Sequence, residues 1–174
     1  MMDTSYIASV HMINTFLPLL LQAKGTIVNH GSIADFVPVP LNAAHCAAKA
    51  ALYAYSRTLR LELAPFGVDV VYLRTANVRS NKLNETPVLG PDSLYSSISK
   101  PLNDLFQWVE KSGPTADEAA KDMVSGILRK RGWIVRVGHT SWTILFTSWL
   151  ENVTGFDIWG MAMTKTYALD KVKR

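Results

Sequence analysis

Apolar residues recur at helical spacing from the start of the chain. Ile7, Val10, Ile13, Phe16 and Leu17 share one face if residues 3–23 are helical, with Asp3 or Thr4 available as the cap. Pro18 falls late in this run, where its missing N–H predicts a kink or an early end. Gly25 then stops the helix, and Thr26-Ile-Val-Asn29 is a short apolar run of the kind found in buried parallel strands. Residues 32–41 hold two prolines and read as a loop. A second helix is expected over 42–63, with Pro65-Phe-Gly67 turning the chain into a second strand, Val68-Asp-Val-Val-Tyr-Leu73. Residues 74–113 are rich in Asn, Ser and Pro and read as a long loop with helical pieces over 94–109. Thr115-Ala-Asp-Glu118 is a capping box, predicting a helix to about Arg131 whose last turn, Arg129-Lys-Arg131, suits the negative end of its dipole. Trp133–Val137 gives a third strand, and the aromatic-rich segments Ser141–Leu150 and Phe156–Met163 read as short helices.

Helices alternating with strands across tight turns predict an α/β fold, a parallel sheet with right-handed crossovers. Composition narrows the classes further. A hydrophobic share of 48% against 18% charged residues is that of a globular chain rather than a disordered one. The formal charge of +4 is spread along the sequence, without the dense basic and aromatic stripe of a nucleic-acid binder. With Cys46 as its single cysteine the chain can form no internal disulfide, and the expected setting is cytoplasmic. The stretch Ile7–Leu21 contains His11, Asn14 and Pro18 and reads as too polar and too short for a membrane span. Four separated histidines and one cysteine show no metal-ligand spacing.

The residues from Gly25 to Asn81 carry a family likeness. Gly25-Thr-Ile-Val-Asn-His-Gly-Ser32-Ile-Ala is similar to the strand and turn that deliver the catalytic serine of the short-chain dehydrogenases/reductases. Thirteen positions later His45-Cys-Ala-Ala-Lys49 stands where that family has Tyr-x-x-x-Lys, and Ser56–Val71 follows its helix, turn and strand. The resemblance is nearest to NADPH-dependent 1-acyldihydroxyacetone-phosphate reductases, whose tail is similar to Gly138-His-Thr-Ser-Trp142 and Ala168-Leu-Asp-Lys171. It implies the C-terminal half of a Rossmann-like, doubly wound parallel sheet over residues 1–138, followed by an aromatic-rich helical extension over 139–174. The glycine motif that cradles the pyrophosphate, Gly-x-x-x-Gly-x-Gly, occurs nowhere in the sequence. The expectation is therefore a chain truncated at its N-terminus, lacking the nucleotide-binding half and, with His45, the catalytic tyrosine. An incomplete gene model would explain the first loss but not the second.

By the same resemblance Ser32, His45 and Lys49 are the catalytic positions, and Lys49 and Asn77 are the cofactor-binding ones, with NADP as the implied cofactor. Positions 45 and 49 share a helix face, which is why the family spaces its pair by four. Imidazole can act as a general acid, with an ordinary pKa of about 6.5. It is shorter than a phenol, however, and the nearby Lys49 charge favours its neutral form. A turn serine that bonds local backbone is the plain alternative for Ser32, a solvated lysine for Lys49, and a relic residue for His45. Tyr53 lies too far along the helix to replace the lost phenol. His30 reads as a turn residue, and Asp35 as no more than a nominal acid for a Ser32–His45 hydrolase that lacks a Gly-x-Ser-x-Gly elbow.

Two kinds of function stay open. One is an NADP-dependent oxidoreductase of a ketone or alcohol on a hydrophobic or lipid-like substrate, impaired by the losses above. The other is a binding or scaffold homologue, or an isomerase or cyclase using the old substrate pocket. The small-residue stripe Ala43, Ala47, Ala50, Ala54 suits close packing on the sheet, while by the same resemblance its helix and the opening one build a dimer interface, implying a homodimer or a dimer with a full-length relative. The aromatic tail beside Lys165, Lys171, Lys173 and Arg174 suggests peripheral membrane contact.

Overall fold

A computed structural model of the chain describes residues 1–79, 89–129, 132–138 and 142–172. Its helices are α1 (Ala8–Ala23), α2 (Ala43–Leu63), α3 (Ser99–Ser112), α4 (Ala116–Leu128), α5 (Trp142–Thr154) and α6 (Ile158–Thr166). Its strands are β1 (Thr26–His30), β2 (Asp69–Thr75) and β3 (Ile134–Val137), parallel throughout and in the order β1-β2-β3. Two compact units result: residues 1–76 with 120–137, and residues 77–119 with 138–174. The second unit thus joins residues 77–119 to those from 138 on.

The first unit holds the sheet. Ile13 of α1, Ile27 of β1, Leu59 and Leu63 of α2, Val68 just before β2 and Val70 within it form its core, with Leu17, Leu20 and Tyr55 packed against them. The β1 residues buried are Ile27 and Asn29, the alternation expected of a strand covered on one face. Asn29 is polar and buried, and its Nδ2 donates to Ser56 Oγ at 2.8 Å, which satisfies it from α2. Gly126 of α4 lies against Val135 of β3 so closely that any side chain there would overlap it.

Pro18 does not end α1, which continues to Ala23. The helix is preceded by a π-helical stretch, Asp3–Ile7, and the run Asp3–Ala23 is long and apolar enough, by length and composition alone, to cross a membrane. Within α1 only Ile13 is buried. Lys24, rather than Gly25, takes the left-handed conformation after the helix, with φ of 48°. Gly25 N donates to Leu20 O at 3.0 Å, and a Cβ on Gly25 would come within 3.0 Å of Leu20 Cδ2.

In the second unit the capping box forms as its spacing requires. Thr115 N donates to Glu118 Oε2 at 2.8 Å, and Glu118 N donates to Thr115 Oγ1 at 3.3 Å. The helix ends at Leu128, short of the basic run; Lys130 and Arg131 lie outside the described residues. The aromatic tail folds as a helix pair: Trp159 Nε1 donates to Ser148 Oγ at 2.7 Å, Trp159 N donates to Glu151 Oε2 at 2.9 Å, and Asp157 caps α6 through Gly160 N. Phe146, Trp149 and Phe156 remain exposed.

Because Thr115 satisfies an otherwise orphaned N–H of α4, Thr115→Ala should cost about 1 kcal/mol. The fall in denaturant midpoint at unchanged slope would measure it.

Candidate active site at the carboxyl end of the sheet

At the carboxyl end of β1 the chain turns over the ring of Tyr72. Gly31 permits this, since a Cβ there would overlap the Tyr72 ring, and Gly31 N donates to Leu73 O of β2 at 2.8 Å. Ser32 follows in extended backbone and caps a short 3-10 turn, Ile33–Asp35. Its Oγ accepts from Ala34 N at 3.1 Å, which leaves the hydroxyl proton available to donate. The local turn role and the inherited position are thus compatible at Ser32.

The 3-10 turn packs against α2. On that helix His45 lies in the first turn, half-buried, and Lys49 one turn later. Lys49 Nζ donates to His30 O at 2.8 Å, so the ammonium is held at the end of β1, two residues before Ser32. The sequence-derived trio therefore sits on two adjoining elements. Asn77 follows β2 and belongs to the second unit, where its carbonyl oxygen lies 2.9 Å from the position of a Gly113 Cβ.

Sequence reasoning did not foresee the cluster beneath the turn. Arg74 Nε and one terminal nitrogen donate to the same oxygen of Asp35, Oδ2, at 3.0 and 2.8 Å, and both side chains are buried. The guanidinium is stacked among Phe36, Tyr53 and Tyr72, with ring centroids 4.8, 4.7 and 5.8 Å away. Tyr53 also stacks on Trp133 at 5.6 Å, so it is a packing residue of the cage. Burial pushes the Asp35 carboxyl above its ordinary value despite Arg74, and Oδ1 has no hydrogen-bond partner among the described residues. Burial, and then the Asp35 charge, hold the Tyr72 phenol far above its ordinary value. Asp35, the nominal acid of a Ser32–His45 hydrolase, is thus held by Arg74 through Oδ2. One signal of the cluster stood in the strand pattern: Val70, Tyr72 and Arg74 share the same parity, which placed an arginine inside.

His30 is more than the turn residue expected. Its Nε2 lies 3.0 Å from Thr75 Oγ1 at the end of β2, and burial, with the nearby Lys49 charge, lowers its pKa. Among the described residues no group of His, Cys, Asp and Glu could hold a metal ion.

Comparison with known proteins gives the cluster a context. The family model described as short chain dehydrogenase matches residues 1–87. The NADPH-dependent 1-acyldihydroxyacetone phosphate reductase of Schizosaccharomyces pombe is 47% identical over 87 residues, 50% of this chain and 29% of that protein. The short-chain dehydrogenase virD of Hypocrea virens is 34% identical over 99% of this chain and 60% of its own length. Among solved structures, a short-chain dehydrogenase from Streptomyces avermitilis matches 95% of this chain and 61% of its own, with a TM-score of 0.67 at 19% identity. One from Burkholderia cenocepacia in complex with NADP matches with a TM-score of 0.61 at 21% identity, over 95% of this chain and 56% of its own. The chain thus spans less than two thirds of the length of each of these proteins.

Two predictions follow from the geometry. Arg74→Met leaves the Asp35 carboxylate buried and unpaired and should cost about 3–5 kcal/mol, whereas Asp35→Leu with Arg74→Met should recover most of it; denaturant unfolding of both variants tests this. For His30 the folded pKa lies below the unfolded value, so the unfolded chain binds the extra proton. The stability that this difference contributes is present above pH 6.5, the ordinary value, and is lost as pH falls through the folded pKa. Unfolding curves from pH 7.5 downward, compared with His30→Gln, should therefore converge as acidity rises.

Proposed function

Because the chain belongs to the short-chain dehydrogenase family, we propose that it carries the substrate side of an NADP-dependent oxidoreductase acting on the ketone or alcohol of a hydrophobic, lipid-like molecule. With His45 at the proton donor's position, its redox turnover is impaired. The observation that carries this reading is the Lys49 ammonium fixed on the His30 carbonyl, on the strand end that leads into the Ser32 turn.

In this reading the Ser32 hydroxyl, its oxygen engaged by Ala34 N–H, donates its proton to the substrate oxygen. Lys49 supplies a fixed positive charge at the carboxyl end of the strands, where ligands of open α/β sheets bind. His45 stands one helical turn before it, at the position of the proton donor. When bound, the nicotinamide would give or take the hydride. Lys49, its ammonium fixed at the end of β1, would hold its ribose. His45 in place of the family's Tyr supports the impaired reading. The identity with an NADPH-dependent reductase of an acylated phosphate ester supports a lipid-like substrate. The exposed Phe146, Trp149 and Phe156, with Lys165 nearby in sequence, support contact with a lipid surface.

A second reading, a binding homologue that uses the pocket without redox chemistry, is favoured by the same replacement at position 45. Titration with NADPH, followed by nicotinamide fluorescence and calorimetry, separates the two. The expected outcome is no saturable binding up to millimolar cofactor and no oxidation of NADPH with hydrophobic ketones. Saturable binding with turnover that is lost in Lys49→Ala would show that the site is complete and overturn the impaired reading.

A further inference from the structure

Lys49 and the ring of His30 meet at one peptide, from opposite faces of the sheet. Asn29 faces α2, where its Nδ2 reaches Ser56, so by the alternation of the strand the His30 side chain turns to the other face. His30 is paired in the ladder with Leu73, and Thr75 has the same parity as Leu73. The ring and the Thr75 hydroxyl therefore share that face, where Nε2 lies 3.0 Å from Oγ1. Lys49 comes from α2, and its Nζ donates to the His30 carbonyl at 2.8 Å. The carbonyl that holds the ammonium and the ring that can take up a proton thus belong to the same residue.

This peptide is anchored on both sides. The Thr75 contact ties the ring to the end of β2, and Gly31 N donates to Leu73 O at 2.8 Å just beyond the carbonyl. A carbonyl so held is a fixed acceptor for an ammonium carried on a flexible stem. The packed elements bring few other charges. α1 has no Asp, Glu, Lys or Arg, and His11 is its one titratable group. At this end α2 brings His45 beside Lys49, and β2 brings Tyr72 and Arg74, the latter paired with Asp35; Asp69 stands at the opposite end of β2. On the ring's own face α4 packs at Val135 of β3 and carries Lys121 and Asp122 within this unit. Burial, and then the Lys49 charge, lowers the His30 pKa, so the bond to Lys49 is made beside a neutral ring. Protonation would set two positive charges about one peptide and, with both ring nitrogens then donors, confine Thr75 Oγ1 to accepting.

We propose that His30 is the positioning residue of Lys49 and makes its hold reversible: a neutral ring keeps the ammonium on the His30 carbonyl, and a protonated ring releases it. The inference rests on the reading of Lys49 as the site's fixed positive charge. It adds that this charge is fixed only on the alkaline side of the His30 titration.

The full chain, with isotope-labelled lysine and histidine, allows both side chains to be followed by NMR across about pH 8 to 5, the range in which histidine titrates. Lys49→Arg and His30→Gln identify the two sets of signals. In the unsubstituted chain the two Hε protons of Lys49 should be inequivalent at the alkaline end and merge as His30 titrates, with a shared midpoint. In His30→Gln the Lys49 signals should show no midpoint. In Lys49→Met the His30 midpoint should shift upward, toward the ordinary value of 6.5. The Lys100 signals, from a different unit, should stay unmoved, which separates release from acid unfolding. Lys49 signals that stay flat while His30 titrates overturn the proposal, and so does a Lys49 midpoint that persists in His30→Gln. A His30 midpoint that Lys49→Met leaves in place overturns it independently, so a variant that fails to fold does not spare it. No readout here uses NADPH: failure of this coupling leaves the proposed reaction standing, and failure of the cofactor titration leaves the coupling standing.

Discussion

The buried pair of Asp35 and Arg74 is the interaction on which the described site depends. It ties the turn after β1 to the end of β2, and the aromatic rings stacked on the guanidinium extend the tie to α2 through Tyr53. A charge taken from water and set against one carboxylate oxygen at 2.8 Å is costly to desolvate. Its return here is one of position: Ser32, three residues before Asp35, cannot move without disturbing a pair that has no water to fall back on. Gly31 completes the arrangement by letting the backbone rest on Tyr72.

The clamp is built from Asp35, Phe36, Tyr53, Tyr72 and Arg74. Lys49 likewise finds a partner within the chain, the His30 carbonyl. The carboxyl end of the sheet is therefore satisfied by the protein's own groups, a condition compatible with either the oxidoreductase or the binding reading.

Much of the fold was legible in the sequence because its signals are local. Apolar periodicity located α1, α2, β1 and β2 to within a few residues, and the Thr115–Glu118 spacing located the start of α4. Local signals failed where longer contacts prevailed. The early end that Pro18 allowed does not occur, since α1 runs past it to Ala23, with Leu17 and Leu20 packed on the core on either side. Lys24 bears the left-handed strain that a glycine would relieve, since Gly25 is needed against Leu20. The Asp35–Arg74 pair joins residues 39 positions apart, and no pattern of spacing announces such a contact. Ser32, His45 and Lys49 were found by likeness to a family, whereas their supports were found only in three dimensions.

The order of the strands along the chain has a consequence for assembly. β1, α2 and β2 follow one another within residues 26–75, so their ladder closes a modest loop. β3 begins at Ile134, after a long excursion through the second unit, and must close a far larger one before Tyr72 N can donate to Trp133 O at 2.7 Å. The entropy of that closure is spent before any contact of β3 repays it. The first two strands and their crossover helix are thus the early, cooperative part of the sheet, and β3 is the late addition. The clamp around Arg74 spans this difference: Asp35, Tyr53 and Tyr72 are in place with the early part, while Trp133, which stacks on Tyr53, arrives with β3.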